Sequence, residues 1–232
     1  MPMWGMSPLV LHYAPDNASL CVRLALDAAG IPYETRLVDR RAGAQKSEAY
    51  LAINPNGLIP VLETPDGVLF ETAAILLWLA DRAPVLLPEQ GRAQAIKWLI
   101  WMSNTLHPTL RMLFYPDHYI AKTGTEVLTA TTRQRLRDQL EILNNGLQDL
   151  PFVGGVTPTL LDCYLCPMLR WMQLYPMNAP GRPTLTDYPT LRTIAATNEA
   201  HASTATAIRA EGLGANPFTA PGYPNPPEGS AL

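Results

Sequence analysis

An acidic residue and a hydroxyl residue stand side by side where a predicted helix begins, and this pair suits the binding of a small anionic peptide. Glu71 and Thr72 precede the apolar run that ends at Leu79. A helix N-terminus has unpaired N–H groups and about half a positive charge, which favours an anion. Thr72 could therefore donate to a carboxylate, while Glu71 could pair with an ammonium group. The alternative is that Thr72 simply caps the helix.

The loop before this helix contains a proline that can present the backbone to a ligand. Residues 54–62, NPNGLIPVL, predict a loop, a tight turn and a short strand. A cis peptide bond between Ile59 and Pro60 costs little, because proline removes most of the trans preference. Such a bond would turn the N–H and C=O of Ile59 outward, where they could pair with an extended peptide, and Pro60 would fix their direction. The alternative is an ordinary trans turn.

These features resemble the glutathione-binding site of the glutathione S-transferase family, and other motifs extend the resemblance over residues 8–213. Residues 9–15, LVLHYAP, resemble the first strand and turn of the family. Residues 98–117 resemble a helix of its bacterial beta class, and residues 159–171, TLLDCYLCPMLRW, resemble its helix-six signature. The resemblance implies that glutathione is the co-substrate and that it is held by Ile59, Pro60, Glu71 and Thr72.

The catalytic position departs from the beta-class pattern of a cysteine followed by a serine. An ungapped match places Ala18 at the cysteine and Ser19 at the serine. Lowering a thiol pKa from ~8.5 to ~6.5 takes about 2.7 kcal/mol. One hydrogen bond to the charged sulfur gives about 1.5–3 kcal/mol, and a helix N-terminus adds roughly 0.3–2 kcal/mol. We predict that Ser19 donates to the sulfur, with Asn17 as the second candidate. The alternative is that Ser19 only caps the first helix.

The resemblance also implies a cation for the glycine carboxylate of glutathione. Arg40, Arg41 and Lys46 all lie in the loop after the second predicted strand. Rough alignment places Arg41 nearest to the required position. The alternative for each of these residues is a solvated surface charge.

A histidine in the predicted long helix falls where the beta class has one that faces the second-substrate pocket. His107 could donate to a substrate there, or it could be satisfied in the domain interface. Helical spacing predicts that further side chains reach the same side. Three aromatic side chains would make this pocket suitable for a hydrophobic electrophile. The helical neighbours are Trp101, Asn104 and Arg111, and the aromatic residues are Phe114, Tyr115 and Tyr119.

The three cysteines predict neither a disulfide framework nor a metal site. An odd number in a long chain suits a reducing compartment. Cys163 and Cys166 have the C-x-x-C spacing, but they lie in a predicted helix without a second Cys or His pair for zinc. We therefore predict that both are core residues. Cys21 is predicted to be a buried structural thiol, with a low-pKa thiol at a helix N-terminus as the alternative.

Composition excludes several classes of protein. The chain has 232 residues, of which 47% are hydrophobic and 16% are charged, and its net charge is −3. The chain has no run of basic residues, so we do not expect nucleic acid as a partner. No segment approaches the ~18 uninterrupted apolar residues of a membrane span. Residues 1–8 lack the features of a signal peptide, so we expect a cytoplasmic protein. The low charged fraction favours apolar surface, which a homodimer would bury.

The order of predicted elements indicates an α/β plus all-α protein. A thioredoxin-like glutathione-binding domain occupies residues 8–83, a linker 84–91, an all-helical domain 92–213 and a proline-rich tail 214–232. The helical pattern covers residues 93–112, 125–150, 159–175 and 188–210. Thr159 and Asp162 form a predicted capping box, so replacing Asp162 by alanine should cost roughly 0.5–2 kcal/mol.

Three functions remain open at this point. The first is a detoxifying transferase that conjugates the glutathione thiolate to small hydrophobic electrophiles. The second is a glutathione-dependent reductase of disulfides or peroxides, which uses the thiol of the bound glutathione. The third is a non-catalytic glutathione-binding scaffold, which Ala18 at the catalytic position keeps open.

Overall fold

The computed structural model describes residues 8–231, and its amino-terminal part is a four-stranded mixed sheet. The strands are β1 (Leu9–Tyr13), β2 (Tyr33–Leu37), β3 (Val61–Thr64) and β4 (Gly67–Phe70), in the order β2-β1-β3-β4. β1 runs parallel to β2, whereas β3 is antiparallel to both β1 and β4. The mainly apolar segments at residues 61–63 and 68–70, on either side of the turn sequence TPDG, predict a hairpin, and β3 and β4 form it. Residues 1–7, on which most of the signal-peptide prediction rests, and Leu232 lie outside the described residues.

Three helices accompany the sheet. They are α1 (Ser19–Ala29), α2 (Glu48–Ile53) and α3 (Thr72–Ala80). α1 ends at Gly30, whose φ of 64° lies in the left-handed region that glycine adopts at low cost. α2 was not predicted, because six residues are too few for a helical period to emerge. Its start is nevertheless marked by Ser47, whose side chain accepts from the N–H of Tyr50.

The rest of the described chain contains helices and no strand. The helices are α4 (Arg92–Trp101), α5 (His107–Phe114), α6 (Thr125–Gly146), α7 (Leu160–Leu174), α8 (Pro189–Glu199) and α9 (Ala202–Glu211). A π-helical turn, Met102–Leu106, joins α4 to α5. The last predicted helix is two helices, because His201 leaves the helical conformation and its side chain accepts from the N–H of Ser203 at the start of α9. The predicted fold class, a thioredoxin-like domain followed by an all-helical domain, is confirmed; the boundaries 8–83, 84–91 and 92–213 remain a prediction.

Residues 8–231 contain neither a helix suited to crossing a membrane nor a cluster of metal-ligating side chains. No helix in this range combines the length and the apolar character that crossing a membrane requires. The same range contains no group of three or more His, Cys, Asp or Glu side chains that could hold a metal ion.

Two buried ion pairs connect the two parts of the chain. Helix α1 packs against α3, α7 and α9. Arg170 of α7 donates to Asp16 in the loop before α1, with Nε–Oδ1 at 2.8 Å and Nη2–Oδ2 at 3.0 Å. Arg23 of α1 donates to Glu211 at the end of α9, with Nε–Oε1 at 2.7 Å. A buried charge is tolerated only when it is paired in this way.

The proline-rich tail packs back over the molecule. The N–H of Asn225 donates to the carbonyl of Gly212 at 2.8 Å. The Tyr13 hydroxyl of β1 donates to Glu228, and Arg40 donates to the carbonyl of Ala231. The tail therefore runs from the helical domain to the sheet domain.

The capping box at the start of α7 is confirmed, and it has more partners than the sequence indicated. The Asp162 carboxylate accepts from the N–H and the hydroxyl of Thr159, from the N–H of Gly154 and from the amide of Asn198, all within 3.0 Å. Asp162 itself is fully buried.

We expect Asp162→Ala to lower the free energy of unfolding by about 2 kcal/mol, the upper end of the range for a lost cap. The additional reason is that two donors from outside the helix would lose a buried acceptor. Urea unfolding followed by circular dichroism would measure the change. Asp187→Ala, on an exposed turn, is the matched control, and an Asp162 variant as stable as that control would contradict the assignment.

Candidate functional site

A cavity of about 960 Å³ lies between the loops of the sheet domain and the helices that follow. One wall comes from the loop before α1, the loop after β2, the turn before β3 and the start of α3. The opposite wall comes from the π turn, α5 and α7. The cavity therefore contains the loops that the sequence predicted as a binding site, together with a helical wall.

The turn before β3 has the predicted backbone conformation. The bond between Ile59 and Pro60 is cis, and both residues line the cavity. Two side chains fix this turn by donating to the carbonyl of Leu58: the Tyr50 hydroxyl at 2.8 Å and the Asn54 amide at 2.7 Å. The backbone of Ile59 is thus held at the cavity wall.

The start of α3 brings the predicted acidic residue and hydroxyl residue to the same cavity. Glu71 and Thr72 both line it. Glu71 has a φ of 71°, a backbone conformation that residues other than glycine adopt only at a cost of about 1–3 kcal/mol. Neither residue caps α3 with a side-chain hydrogen bond. Simple capping therefore does not explain this pair, and a strained residue beside a cavity is typical of a functional position.

Arg41, the cation that the alignment favours, lies outside the cavity lining. Arg41 is exposed and does not line the cavity; its N–H donates to Asp39 Oδ1 at 3.0 Å. Arg40 and Lys46 line the cavity instead. Arg40 donates to the Tyr115 hydroxyl at 3.1 Å. The structure therefore places Arg40 and Lys46, which the sequence offered from the same loop, at the cavity, and not Arg41, which the alignment favours.

Ser19 does not reach the cavity, so its predicted role as sulfur donor is corrected. The residue is fully buried, and its hydroxyl donates to the carbonyl of Ala14 at 3.1 Å and accepts from the N–H of Ala14 at 3.3 Å. Ser19 is also the first residue of α1 and not its cap, which is Ala18. The hydroxyl closes the turn after β1 and is not free for a ligand.

Asn17, the second candidate for the donor, does line the cavity together with Asp16 and Ala18. Its Oδ1 accepts from the N–H of Ala18 at 2.9 Å. Because an amide has its acceptor and its donors on opposite sides, this bond leaves the Nδ2 group for another partner. Within residues 8–231 no protein acceptor contacts that group. Asn17 also stands two residues before α1 begins, close to the helix N-terminus that favours negative charge.

His107 lines the opposite wall. Its Nδ1 lies 2.9 Å from the Tyr164 hydroxyl, and its ring packs at 5.8 Å from that of Trp171. Burial, together with the nearby Arg111 guanidinium, lowers the pKa of His107 from 6.5 to about 4. The imidazole is therefore neutral at physiological pH. It can offer a hydrogen bond, but it cannot offer a charge.

Not every side chain predicted for this wall reaches the cavity. Arg111, Phe114 and Tyr115 line it. Trp101 instead packs edge-to-face with Trp98, with the ring centres 5.6 Å apart. Asn104 and Tyr119 are exposed and lie outside the lining.

The lowered pKa of His107 predicts a specific dependence of stability on pH. An unfolded histidine takes up a proton below about pH 6.5, whereas folded His107 does so only near pH 4. The unfolded state therefore binds more protons between these values, and folding is weakened as the pH falls. Relative to His107→Gln, the wild type should lose up to about 3 kcal/mol over this window. Urea unfolding at several pH values would measure it. A stability difference that stays constant from pH 7 to pH 4 would contradict the lowered pKa.

Comparison with known proteins decides the family. Residues 18–82 match the family model described as glutathione S-transferase, N-terminal domain, and residues 126–194 match glutathione S-transferase, C-terminal domain. The glutathione S-transferase GstA of Escherichia coli O157:H7 is 32% identical over 178 residues, covering 74% of this chain and 86% of that protein. The chain belongs to the glutathione S-transferase family.

Other members of the glutathione S-transferase family bear on the chemistry. A glutathione transferase homolog from Sulfitobacter, solved with bound glutathione, has a TM-score of 0.76 and 26% identity, covering 87% of this chain and 97% of that one. The disulfide-bond oxidoreductase YfcG of Escherichia coli K12 is 29% identical over 171 residues, covering 69% of this chain and 78% of that protein. Glutathione is the co-substrate of the family, so family membership confirms the predicted co-substrate.

The cysteines of this glutathione S-transferase family member do not supply a reactive thiol. Cys21, Cys163 and Cys166 are free and buried. Burial raises the pKa of all three thiols well above the ordinary value. The predictions of core positions for Cys163 and Cys166 and of a structural thiol for Cys21 agree with this burial.

Sequence reasoning missed one polar cluster beside the cavity. The Asp16 carboxylate accepts from Arg170, from the Trp171 indole at 2.9 Å and from the Tyr175 hydroxyl at 2.8 Å. Trp171 and Tyr175 also line the cavity. No local pattern could have identified this cluster, because Asp16 lies more than 150 positions along the chain from Arg170, Trp171 and Tyr175.

Proposed function

We propose that this protein binds glutathione and transfers its thiolate to a small electrophile. The observation that carries the proposal is the meeting, in one cavity, of the Ile59 backbone, the start of α3 and the start of α1. These three features would contact the cysteinyl part, the γ-glutamyl part and the sulfur of one glutathione molecule. Membership of the glutathione S-transferase family supports the same function.

The two ends of glutathione would be recognised by opposite charges. Thr72 would donate its hydroxyl and its helix-start N–H to the γ-glutamyl carboxylate, and Glu71 would pair with the adjacent ammonium group. The N–H and C=O of Ile59 would bind the cysteinyl backbone, with Pro60 fixing their direction. Arg40 and Lys46 would hold the glycine carboxylate. Arg40 would then exchange or share its bond to the Ala231 carbonyl.

The sulfur would be activated by Asn17 and by the start of α1. A shift of the thiol pKa from ~8.5 to ~6.5 requires about 2.7 kcal/mol. One hydrogen bond from the Asn17 amide to a charged sulfur supplies about 1.5–3 kcal/mol, and the α1 N-terminus adds roughly 0.3–2 kcal/mol. The two effects together suffice, so no cysteine of the protein is needed.

The electrophile would occupy the wall formed by α5 and α7. Phe114, Tyr115 and Trp171 give this wall an aromatic character. The neutral His107 would offer a hydrogen bond to a polar group of the substrate. Such a wall suits a small hydrophobic electrophile, and conjugation of such compounds would be a detoxifying activity.

Assembly and location form part of the proposal. Exposed apolar side chains at Val68, Val85 and Ile100 support a homodimer, since such surface is commonly buried between copies. Three free thiols without a disulfide support a reducing compartment such as the cytoplasm. Light scattering after size-exclusion chromatography would measure the mass of the assembly.

A glutathione-dependent reductase is the second candidate. The similarity to the disulfide-bond oxidoreductase YfcG favours it. The thiolate of bound glutathione could attack a disulfide by the same geometry that serves conjugation, again without a protein cysteine.

Two assays on the full chain separate the candidates. Conjugation of glutathione to chlorodinitrobenzene tests the transferase, and glutathione-dependent reduction of hydroxyethyl disulfide tests the reductase. We expect conjugation at a rate well above the uncatalysed reaction. Disulfide reduction alone would favour the reductase. Glutathione binding without either reaction would leave the non-catalytic scaffold and overturn the proposal.

A further inference from the structure

One cation in the cavity is not accounted for by glutathione. Arg111 lies on α5, one turn after His107, and lines the helical wall of the cavity. It is partly buried, and its Nε donates to the Tyr119 hydroxyl at the long distance of 3.4 Å. Within residues 8–231 no carboxylate forms an ion pair with it. A guanidinium that is partly removed from water and lacks an anion is poised to take one from a ligand.

The other charged groups of the cavity have partners, either in the protein or in the proposed glutathione complex. Asp16 is neutralised by Arg170, which stands behind the cavity wall. In the proposed complex, Glu71 pairs with the ammonium of glutathione, and Arg40 and Lys46 take the glycine carboxylate. The γ-glutamyl carboxylate binds at the start of α3 and the thiolate at the start of α1. Every charged group of glutathione is therefore matched without Arg111.

The surroundings of Arg111 define the shape of a further anionic ligand. Its guanidinium carbon lies 5.8 Å from the centre of the Tyr115 ring, and Phe114 continues the aromatic surface. His107, the other polar side chain on this face of α5, is neutral. A planar apolar body could thus pack on the rings while an acidic group pairs with the guanidinium, whose two donors match the two oxygens of a carboxylate.

We propose that Arg111 binds a carboxylate of the second substrate, so that the preferred electrophile is an aromatic or unsaturated acid. This inference rests on the proposed function and names the substrate class of the same site. Arg111 is a specificity-determining residue in this proposal. It selects and orients the electrophile and takes no proton.

A chlorodinitrobenzoate with chlorine para to the carboxylate is a suitable probe. The glutathione thiolate forms a C–S bond at the ring carbon that carries chlorine. The C–Cl bond then breaks, and chloride leaves with the bonding electron pair. The thiol proton has already passed to solvent, so no oxidant or reductant is required. The methyl ester of the same compound has the same reacting carbon and lacks the charge.

The test compares the ratio of kcat/KM for the acid to kcat/KM for its methyl ester, after each is corrected for the uncatalysed reaction. We expect the wild type to favour the acid and Arg111→Gln to lower the ratio about tenfold. Arg111→Lys should keep part of the preference for the acid, because lysine retains the positive charge but lacks the two parallel N–H donors of the planar guanidinium. Arg135→Gln, on the exposed face of α6, removes the same charge elsewhere and should leave the ratio unchanged. Added salt should reduce the preference.

Binding of an unreactive acid separates this inference from the proposed function. Calorimetry would measure dinitrobenzoate and its methyl ester, both without chlorine, on the wild type saturated with glutathione. Tighter binding of the acid, lost in Arg111→Gln, would support the inference even if no conjugation occurred. Equal binding of acid and ester to the wild type would overturn it, as would an unchanged acid-to-ester ratio in Arg111→Gln. Conjugation of both probes would meanwhile keep the transferase function intact.

Discussion

Asp16→Ala is expected to lower the free energy of unfolding by about 3–5 kcal/mol, the usual cost of removing one partner of a buried ion pair. Arg170, the partner, is fully buried and would keep its charge. Its remaining bonds go to the carbonyls of Leu213, Pro217 and Gly222, which cannot neutralise it. Trp171 and Tyr175 would also lose their acceptor. Urea unfolding followed by tryptophan fluorescence would measure the change.

Two variants control this prediction. Asp81→Ala removes the exposed partner of Arg92, and we expect it to cost no more than about 1 kcal/mol. Asp16→Ala combined with Arg170→Met removes both charges, and it should be less destabilised than the sum of the single variants. An Asp16 variant that loses no more stability than Asp81→Ala would contradict the role of this pair in joining the two domains.

Asn17→Ala is expected to raise the pKa of bound glutathione by one to two units and to lower kcat/KM for conjugation near neutral pH by about 10- to 100-fold. Both numbers follow from the loss of one hydrogen bond to a charged sulfur, about 1.5–3 kcal/mol. The pKa would be measured from the absorbance of the thiolate during titration of the complex. The rate would be measured with chlorodinitrobenzene.

Ser19→Ala is the matched control, because Ser19 stands only two positions after Asn17, as the first residue of α1. Its hydroxyl bonds to the backbone of Ala14, so we expect a loss of stability of about 1 kcal/mol and no change in the pKa of the bound thiol. If Ser19→Ala raised that pKa and Asn17→Ala did not, the donor would be Ser19 and our correction would be wrong.

Local signals in the sequence predicted most of the fold. The β3–β4 hairpin follows from two apolar runs around a Pro-Asp-Gly turn, and the end of α1 follows from Gly30. The turn at Pro60 and the pair Glu71 and Thr72 were also predicted. Each of these features depends on residues that are close together in the chain, which is the range over which turn chemistry and periodicity act.

The sequence predicts side-chain positions poorly where they depend on contacts between distant parts of the chain, or where an alignment must be accurate to a single residue. Ser19 was placed on the cavity by an ungapped alignment, which could not show that its hydroxyl closes the turn at Ala14. In the loop after β2 a rough alignment favours Arg41, whereas the structure places its neighbour Arg40 at the cavity. The ion pair between Asp16 and Arg170 joins positions 154 apart, and no propensity or spacing rule reaches that far.

The most direct test of the account is a measurement of glutathione binding by calorimetry, with the absorbance of the thiolate followed against pH in the same complex. We predict saturable binding and a thiol pKa at least one unit below its ordinary value of about 8.5. Binding without a change in the pKa would contradict thiol activation at the start of α1. No binding at millimolar glutathione would contradict the central claim that this cavity is a glutathione site.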